Sequence, residues 1–447
     1  MRKIFGTDGV RGVANAYPMT AEVALKLGKA AAKVLSNGNH KVVIGKDTRL
    51  SGYIFESALT AGFCSMGIDV YLVGPMPTPA IGHLTKSFGA DAGVVISASH
   101  NPADDNGIKF FGRDGFKLAD SEEEKIESLA LGAEISTEHV APAKIGRAFR
   151  INDARGRYIE SVKNSVSNIS LKGLKLVLDC ANGAAYSVAP FIFSELGAEV
   201  VVLNNNPDGM NINKECGATY PKVIRDAVLR EHADIGVALD GDADRAIFVD
   251  ESGNEVDGDQ VLAICALQFA QKGLLKGNAI VATEYSNLGL TEAMAARGIE
   301  VIRVENGDRY VLDEMRKRGC NLGGERTGHT IFLDYSTTGD GTLTALQVIT
   351  VMKQQGKRLS ELASQMHKHP QLMININVKE KKDISAMTKV QELIKLAEAR
   401  LGKEGRIFIR YSGTQNILRI MAEGKDEQLI RQAAETVAAE LRKEIGA

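Results

Sequence analysis

Short runs rich in valine and isoleucine recur along the chain, each separated from the next by a helix-length segment. KVVIGKD (Lys41–Asp47), DVYLVGP (Asp69–Pro75) and AGVVISA (Ala92–Ala98) set the pattern. Runs this apolar read as strands buried on both faces, and strands alternating with helices build parallel sheets. The theme returns in LKLVLDCANG and ADIGVALDGD (Ala233–Asp242), and again in NAIVAT, IEVIRV and CNLGGE. Beyond Pro370 the pattern changes. LMININV (Leu372–Val378) alternates apolar and polar residues, as expected of a sheet with one wet face. A helix from about Ile384 to Leu401, the strands RIFIRYS and ILRIMAE, and an amphipathic helix complete an α+β module.

The expected organisation is three α/β domains (1–150, 151–250 and 251–368) and a C-terminal α+β domain (369–447). Ser121 and Glu124 are spaced as a capping box opening the helix SEEEKIESLA. The ESGN segment after Asp250 reads as a hairpin turn. With 447 residues, 44% hydrophobic and 25% charged, the chain is long enough for several cores and too apolar to be disordered. A formal net charge of −2 excludes the basic footprint of a general nucleic-acid binder. No signal-peptide run opens the chain and no stretch of membrane-spanning length is free of charge, so no membrane partner is expected. Five scattered cysteines argue against a disulfide framework or zinc knuckle, and the chain reads as cytoplasmic.

Four loops carry the chemistry. In DGDADR, Asp240, Asp242 and Asp244 follow the apolar run IGVAL, which places three carboxylates at a strand's carboxyl end. Three crowded negative charges call for a cation, and hard oxygens suit Mg²⁺. A calcium loop ending at Glu251 would need glycine where Arg245 stands, and helical rather than strand flanks. A solvated acidic turn is the other alternative. In SASHNPADDNGIKFF, Ser99 follows a strand end, and Pro102 and Gly107 break any helix. Ser99 could carry a phosphoryl group. His100 is its sequence neighbour and no G-x-S-x-G elbow surrounds it, so acyl transfer is disfavoured; a polar capping turn is the plain alternative. In GGERTGH (Gly323–His329), Glu325 and Thr327 alternate, so an extended segment would aim both at vicinal sugar hydroxyls. In RYSGTQN, Arg410, Ser412, Thr414 and the loop amides concentrate phosphate-oxygen donors between two strands, which hairpin chemistry alone could also explain.

Taken in this order, the four loops resemble the phosphoserine, metal, sugar and phosphate loops of the α-D-phosphohexomutase family. The resemblance runs from FGTDGVRG (Phe5–Gly12) to the final helix. It implies three similar mixed-sheet α/β domains plus a C-terminal α+β domain around a central cleft. By the same resemblance Ser99 is the phosphorylated residue, and its phosphoryl oxygen joins Asp240, Asp242 and Asp244 around one Mg²⁺ per subunit. Arg245 and Arg11, the latter from the N-terminal loop, would steady the transferring group. Lys109 in NGIKFF is favoured for acid/base work, with His329 as the alternative. Asp308, Arg309, Glu325 and Thr327 would bind the sugar, and Arg410, Ser412, Gly413 and Thr414 the phosphate that is not reacting.

FGTDGVRG and GDRYV (Gly307–Val311) look like the family's glucosamine-phosphate branch, which feeds amino-sugar nucleotide synthesis. The glucose and mannose branch typically has a histidine where Asp308 stands. The implied reaction interconverts glucosamine 6-phosphate and glucosamine 1-phosphate, with a sugar 1,6-bisphosphate as intermediate and activator. A glucose or mannose phosphate mutase, a non-catalytic sugar-phosphate-binding protein and a metal-dependent phosphatase are the alternatives. Both monomer and homodimer are compatible with the sequence. Arg326, Thr327 and Gln415-Asn416 depart from the family's usual Gln, Ser and Glu-Pro.

Overall fold

The computed structural model describes residues 3–6, 8–411 and 416–446. In the first sheet the strands Lys41–Lys46, Asp69–Pro75 and Ala92–Ile96 run parallel, as their apolar composition predicts. The sheet is nevertheless mixed. Asp105–Gly112 pairs antiparallel with Ala92–Ile96, and Gly9–Val13 pairs antiparallel with Asp105–Gly112. NGIKFF is therefore an inner strand and not the tail of a polar loop. Gly107 is tolerated there because a Cβ would lie 2.5 Å from the Ser97 carbonyl oxygen. Arg11, expected on a loop, sits on the strand Gly9–Val13.

The second sheet sets Ile235–Leu239 parallel to Lys175–Asp179 and antiparallel to Ala246–Asp250. The ESGN segment forms the expected turn. Asp250 accepts from the Ser252 and Asn254 amides, and Ala246–Asp250 then pairs with Glu255–Val256. In the third sheet Ala279–Thr283 runs parallel to Leu322–Gly324, which pairs antiparallel with Thr330–Phe332. The charged helix spans Asp120–Leu131 with Ala119 at its N-cap, two residues earlier than the Ser121–Glu124 box requires. Glu122 is the residue whose carboxylate reaches back, accepting from the Ala119 amide at 3.3 Å.

The chain divides into two compact units, Met1–Thr283 with Ile302–Ser364, and Glu284–Val301 with Gln365–Ala447. Within the second unit, Gln371–Asn377 and Gly405–Tyr411 flank Ile417–Gly424, all antiparallel. Met373 and Asn375 face outward while Ile376 is buried, giving the wet face that the alternation predicts. The helix Glu427–Ile445 starts at Asp426, whose side chain accepts from the amides of Gln428 and Leu429. Such a cap contributes about 1 kcal/mol. The helix buries Ile430, Ala433, Ala434, Val437, Ala438 and Leu441 on one stripe against the sheet. Among the described residues, no helix is long and apolar enough to cross a membrane.

A buried pair in the first unit is sensitive to pH. Asp340 caps the helix Gly341–Gln355 through the Leu343 amide, and both its oxygens accept from the Tyr158 hydroxyl at 3.0 Å. Burial pushes Asp340 up to about 6, against these two hydrogen bonds that favour its charged form. Between about pH 4 and pH 6 the native state holds a proton that the unfolded chain releases. Stability contributed by the group is therefore lost as pH rises through that window, about 3 kcal/mol in all. Asparagine at 340 keeps the cap acceptor and does not titrate. The thermal midpoint of Asp340→Asn is expected to climb relative to the parent from pH 4 to 6 and hold its lead above, as differential scanning calorimetry across pH would show.

Candidate active site

The strand Ile235–Leu239 is buried throughout and delivers Asp240 at its carboxyl end. The chain then turns back within six residues, with Ala243 at φ +56°, into Ala246–Asp250. This tight turn folds Asp240, Asp242 and Asp244 together, so that one carboxylate oxygen from each lies within 4.8 Å of the others. All three are buried. Burial, and then the charges of Asp244 and Asp242, hold the Asp240 carboxyl well above its ordinary range. Asp244 moves the other way: burial would raise it, but His329, Lys109 and Arg245 outweigh burial and lower it.

Asp242 Oδ1 and Asp244 Oδ1 are buried without a protein hydrogen-bond partner. Buried carboxylate oxygens left unsatisfied are costly, and a divalent cation held by oxygen ligands satisfies them. The donor set thus fits a hard metal ion. It does not fit a calcium loop closed by Glu251, because that carboxylate accepts from the Ser360 hydroxyl instead.

Ser99 follows the strand Ala92–Ile96 and adopts φ +53°. Its hydroxyl donates to Asp240 Oδ2 at 2.7 Å. His100 Nδ1 lies 3.4 Å from the same hydroxyl and 3.3 Å from Arg245 Nη1. Burial, Arg245 and Arg11 push His100 down to about 4, so its ring is neutral near pH 7 and Nδ1 can accept from the Arg245 guanidinium. The Arg245 backbone amide donates to Asp240 Oδ1, and its Nε lies 3.7 Å from Asp244.

Cations stand around the carboxylates. Lys109, on the inner strand Asp105–Gly112, places Nζ 3.0 Å from both Asp242 and Asp8. Burial disfavours its ammonium, yet Asp242 and Asp8 outweigh burial and raise its pKa. An ammonium so held can donate a proton or neutralise charge, and accepts a proton only after losing its own. Arg11 pairs with Asp8, and Lys117 bridges Asp8 to Asp308. Asp308 opens the helix Asp308–Arg318. Arg309 beside it is directed elsewhere, to the Leu118 carbonyl and to Glu123 and Asp120.

The GGERTGH segment is a turn, not the extended stretch that the alternation suggests. Glu325 exchanges backbone hydrogen bonds with Gly328 and His329. Glu325 and Thr327 still converge, with Thr327 Oγ1 3.4 Å from Glu325 Oε2, while Glu325 Oε1 accepts from the Gly307 amide. Arg326 reaches Asp257 at 3.3 Å. His329 is buried with Nδ1 3.6 Å from Asp244 Oδ2, and Nε2 accepts from the Gly339 amide. Burial would lower its pKa, but Asp244, Asp308 and Glu325 raise it overall.

The first unit thus gathers Arg11, Ser99, Lys109, Asp240, Asp242, Asp244, Arg245, Asp308 and His329 into one network of contacts. Arg410 lies on the strand Gly405–Tyr411 of the second unit, paired in register with Arg419. Ser412, Gly413 and Thr414 lie outside the described residues.

Several residues in this network escape sequence reasoning. Thr78 donates its hydroxyl to Asp242 Oδ2 at 2.7 Å and its amide to the Asp242 carbonyl. Asp47 and Arg49, in KDTR, and Asn213 hold the Ser99 loop. Asp8 and Lys117 complete the ion-pair chain. The available signal was charge at the carboxyl end of a buried strand, which KDTR shares with DGDADR.

Comparison with known proteins follows the same order along the chain. It matches the phosphoglucomutase/phosphomannomutase family in four blocks: α/β/α domain I at residues 2–135, domain II at 156–253, domain III at 257–369 and the C-terminal domain at 373–440. A protein of Citrifermentans bemidjiense named phosphoglucosamine mutase is 56% identical, covering 100% of this chain and 99% of its own. A solved phosphoglucomutase/phosphomannomutase family protein from Burkholderia thailandensis superposes with a TM-score of 0.82 at 23% identity, covering 99% of both chains. A putative phosphomannomutase from Thermus thermophilus superposes at 0.79 with 26% identity, covering 99% of this chain and 100% of its own. With matches across all four domains and a full-length relative at this identity, the chain belongs to the phosphoglucomutase/phosphomannomutase family of α-D-phosphohexomutases.

Proposed function

We propose that the chain is a phosphosugar mutase that interconverts glucosamine 6-phosphate and glucosamine 1-phosphate through phosphorylated Ser99. The observation that carries this reading is the Ser99 hydroxyl, 2.7 Å from Asp240 at a buried carboxylate triad with two orphaned oxygens. The 56% identical full-length relative, named for this amino-sugar reaction, supports the substrate.

Phosphoryl transfer needs in-line positioning and neutralisation of charge. Asp240, Asp242 and Asp244 would hold one Mg²⁺, which supplies a fixed positive charge beside the phosphoryl oxygens. In the first half-reaction the bond from Ser99 Oγ to phosphorus breaks as the sugar O1 bonds phosphorus. The O1 proton passes to a base and Ser99 Oγ regains a proton. The resulting 1,6-bisphosphate turns over, and Ser99 Oγ takes the 6-phosphoryl group in the mirror step, leaving glucosamine 1-phosphate. Arg245 and Arg11 stabilise the phosphoryl oxygens. Lys109, held as an ammonium by Asp242 and Asp8, is suited to donate a proton to the leaving oxygen, and His329 is the second proton carrier. Glu325, Thr327 and Asp308 bind sugar hydroxyls. Arg410, Ser412, Gly413 and Thr414 keep the role that the resemblance gives them, contact with the non-reacting phosphate. Arg309, tied to Glu123 and Leu118, would act by anchoring the helix that carries Asp308.

A ³¹P NMR time course with glucosamine 6-phosphate, Mg²⁺ and a trace of glucose 1,6-bisphosphate tests this reading. The glucosamine 1-phosphate signal is expected to grow to a steady ratio, much faster than parallel tubes of glucose 1-phosphate or mannose 1-phosphate react. Faster hexose tubes would overturn the amino-sugar assignment. Steady accumulation of inorganic phosphate would instead make the protein a phosphatase.

A further inference from the structure

The carbonyl oxygen of Ser99 is gripped from two domains at once. Asn213, from the asparagine-rich segment after the strand Glu199–Leu203, donates Nδ2 to the Ser99 carbonyl at 2.9 Å and to the Asn101 carbonyl at 3.0 Å. Both N–H bonds of its amide are thereby used. Arg49 Nη2 reaches the same two carbonyls, and its Nη1 pairs with Asp47. Asp47 in turn accepts from the Ser97 hydroxyl, which accepts from the Ser99 amide.

No slack remains around this node. A Cβ at Gly241, inside the metal loop, would lie 2.5 Å from the Ser99 carbonyl oxygen and 2.7 Å from Asn213 Nδ2. Asn213 is itself fixed, its backbone N–H donating to the Ala181 carbonyl at 2.9 Å. Its segment is stitched to the KDTR loop through the Leu50 amide on the Gly209 carbonyl and the Thr48 hydroxyl on the Asn182 carbonyl.

Ser99 occupies the left-handed region, which costs a residue with a Cβ about 1 kcal/mol or more and persists only where the surroundings over-determine it. Relaxing that backbone would swing Oγ away from Asp240. We propose that Asn213 is a positioning residue for phosphoryl transfer: by clamping the Ser99 and Asn101 carbonyls, it fixes the direction in which Ser99 presents its oxygen to the metal loop. The proposal rests on Ser99 being the phosphoryl carrier.

The test compares the parent with Asn213→Ala and with the isosteric Asn213→Asp, which replaces the donor by a charge that repels both carbonyls. Misplacing a reacting atom by about 1 Å costs about 100-fold. We expect kcat to fall about 10- to 100-fold in Asn213→Ala and further in Asn213→Asp, with KM for glucosamine 6-phosphate within about twofold of the parent. The rate at which glucose 1,6-bisphosphate phosphorylates Ser99, followed by peptide mass spectrometry, should fall in parallel. Asn213 is only partly buried but sits at φ +57°, where alanine is less well tolerated, so the thermal midpoint should fall by a few degrees and no more. Unchanged kcat and unchanged Ser99 phosphorylation in both variants would overturn the proposal while leaving the carrier assignment intact. So would a fall in kcat matched by a rise in KM or a collapsed thermal midpoint. No phosphorylation of Ser99 in the parent itself would instead sink the carrier assignment.

Discussion

Ser99→Ala is expected to lower turnover of glucosamine 6-phosphate by about a thousandfold or more, because losing a covalent nucleophile removes a route and not merely a contact. The fold should survive. The side chain makes one strong hydrogen bond, to Asp240, a carboxyl that burial and its neighbours already hold above the ordinary range. Alanine accepts φ +53° at a cost similar to that of serine. Turnover measured by ³¹P NMR beside a thermal melt separates the two effects. A mutant that turns over at the parent rate would exclude a phosphoserine route altogether.

The second large effect concerns the carboxylate triad, where metal should raise activity and stability together but neutralising one carboxylate should move them in opposite directions. Chelating divalent cations is expected to reduce turnover by about a thousandfold, in line with the several kcal/mol a metal supplies to transition-state charge. Adding Mg²⁺ at about 100 times its dissociation constant should raise stability by about 2.7 kcal/mol. Asp240→Asn tests the origin of that gain. Burial, and then the charges of Asp244 and Asp242, hold the Asp240 carboxyl above the ordinary carboxylate range in the metal-free protein. The stability it contributes is fully present below the unfolded pKa and is lost as pH rises through the raised one. An amide there does not ionise. Metal-free Asp240→Asn should therefore melt at or above the parent's midpoint near pH 7, while losing both the Mg²⁺-induced rise and turnover. A metal-free mutant that melts well below the parent would show that the three charges are not in conflict.

Much of this architecture is legible in the residue order because burial dictates composition. Strands covered on both faces must be apolar, so KVVIGKD, AGVVISA and ADIGVALDGD announce themselves, and the polar residue that ends each run marks the carboxyl edge. Asp240 and Ser99 are found that way. NGIKFF is harder, since Gly107 punctuates it like a loop although it pairs on both sides. GGERTGH misleads by the same local logic: alternation implies an extended strand, but glycine allows the turn that brings Glu325 onto Thr327. The bracing of the site is not legible at all. Asn213 meets Ser99 across 114 residues of sequence, and Lys117 meets Asp308 across 191. Such pairs follow from how the domains pack, which no local spacing encodes. Arg309 illustrates the reverse, a cation beside a site residue that is spent on Glu123 and Asp120.

In the proposed reaction Ser99 carries the phosphoryl group between the two sugar phosphates. The most direct test of this role is to mix the Mg²⁺-loaded protein with glucosamine 1,6-bisphosphate, quench within one turnover and locate the phosphoryl group by peptide mass spectrometry. A single phosphorylated residue, Ser99, is expected, formed as fast as glucosamine monophosphate appears and discharged when glucosamine 6-phosphate is added. Phosphate found on another residue, or monophosphates interconverting with Ser99 unmodified throughout, would contradict that role.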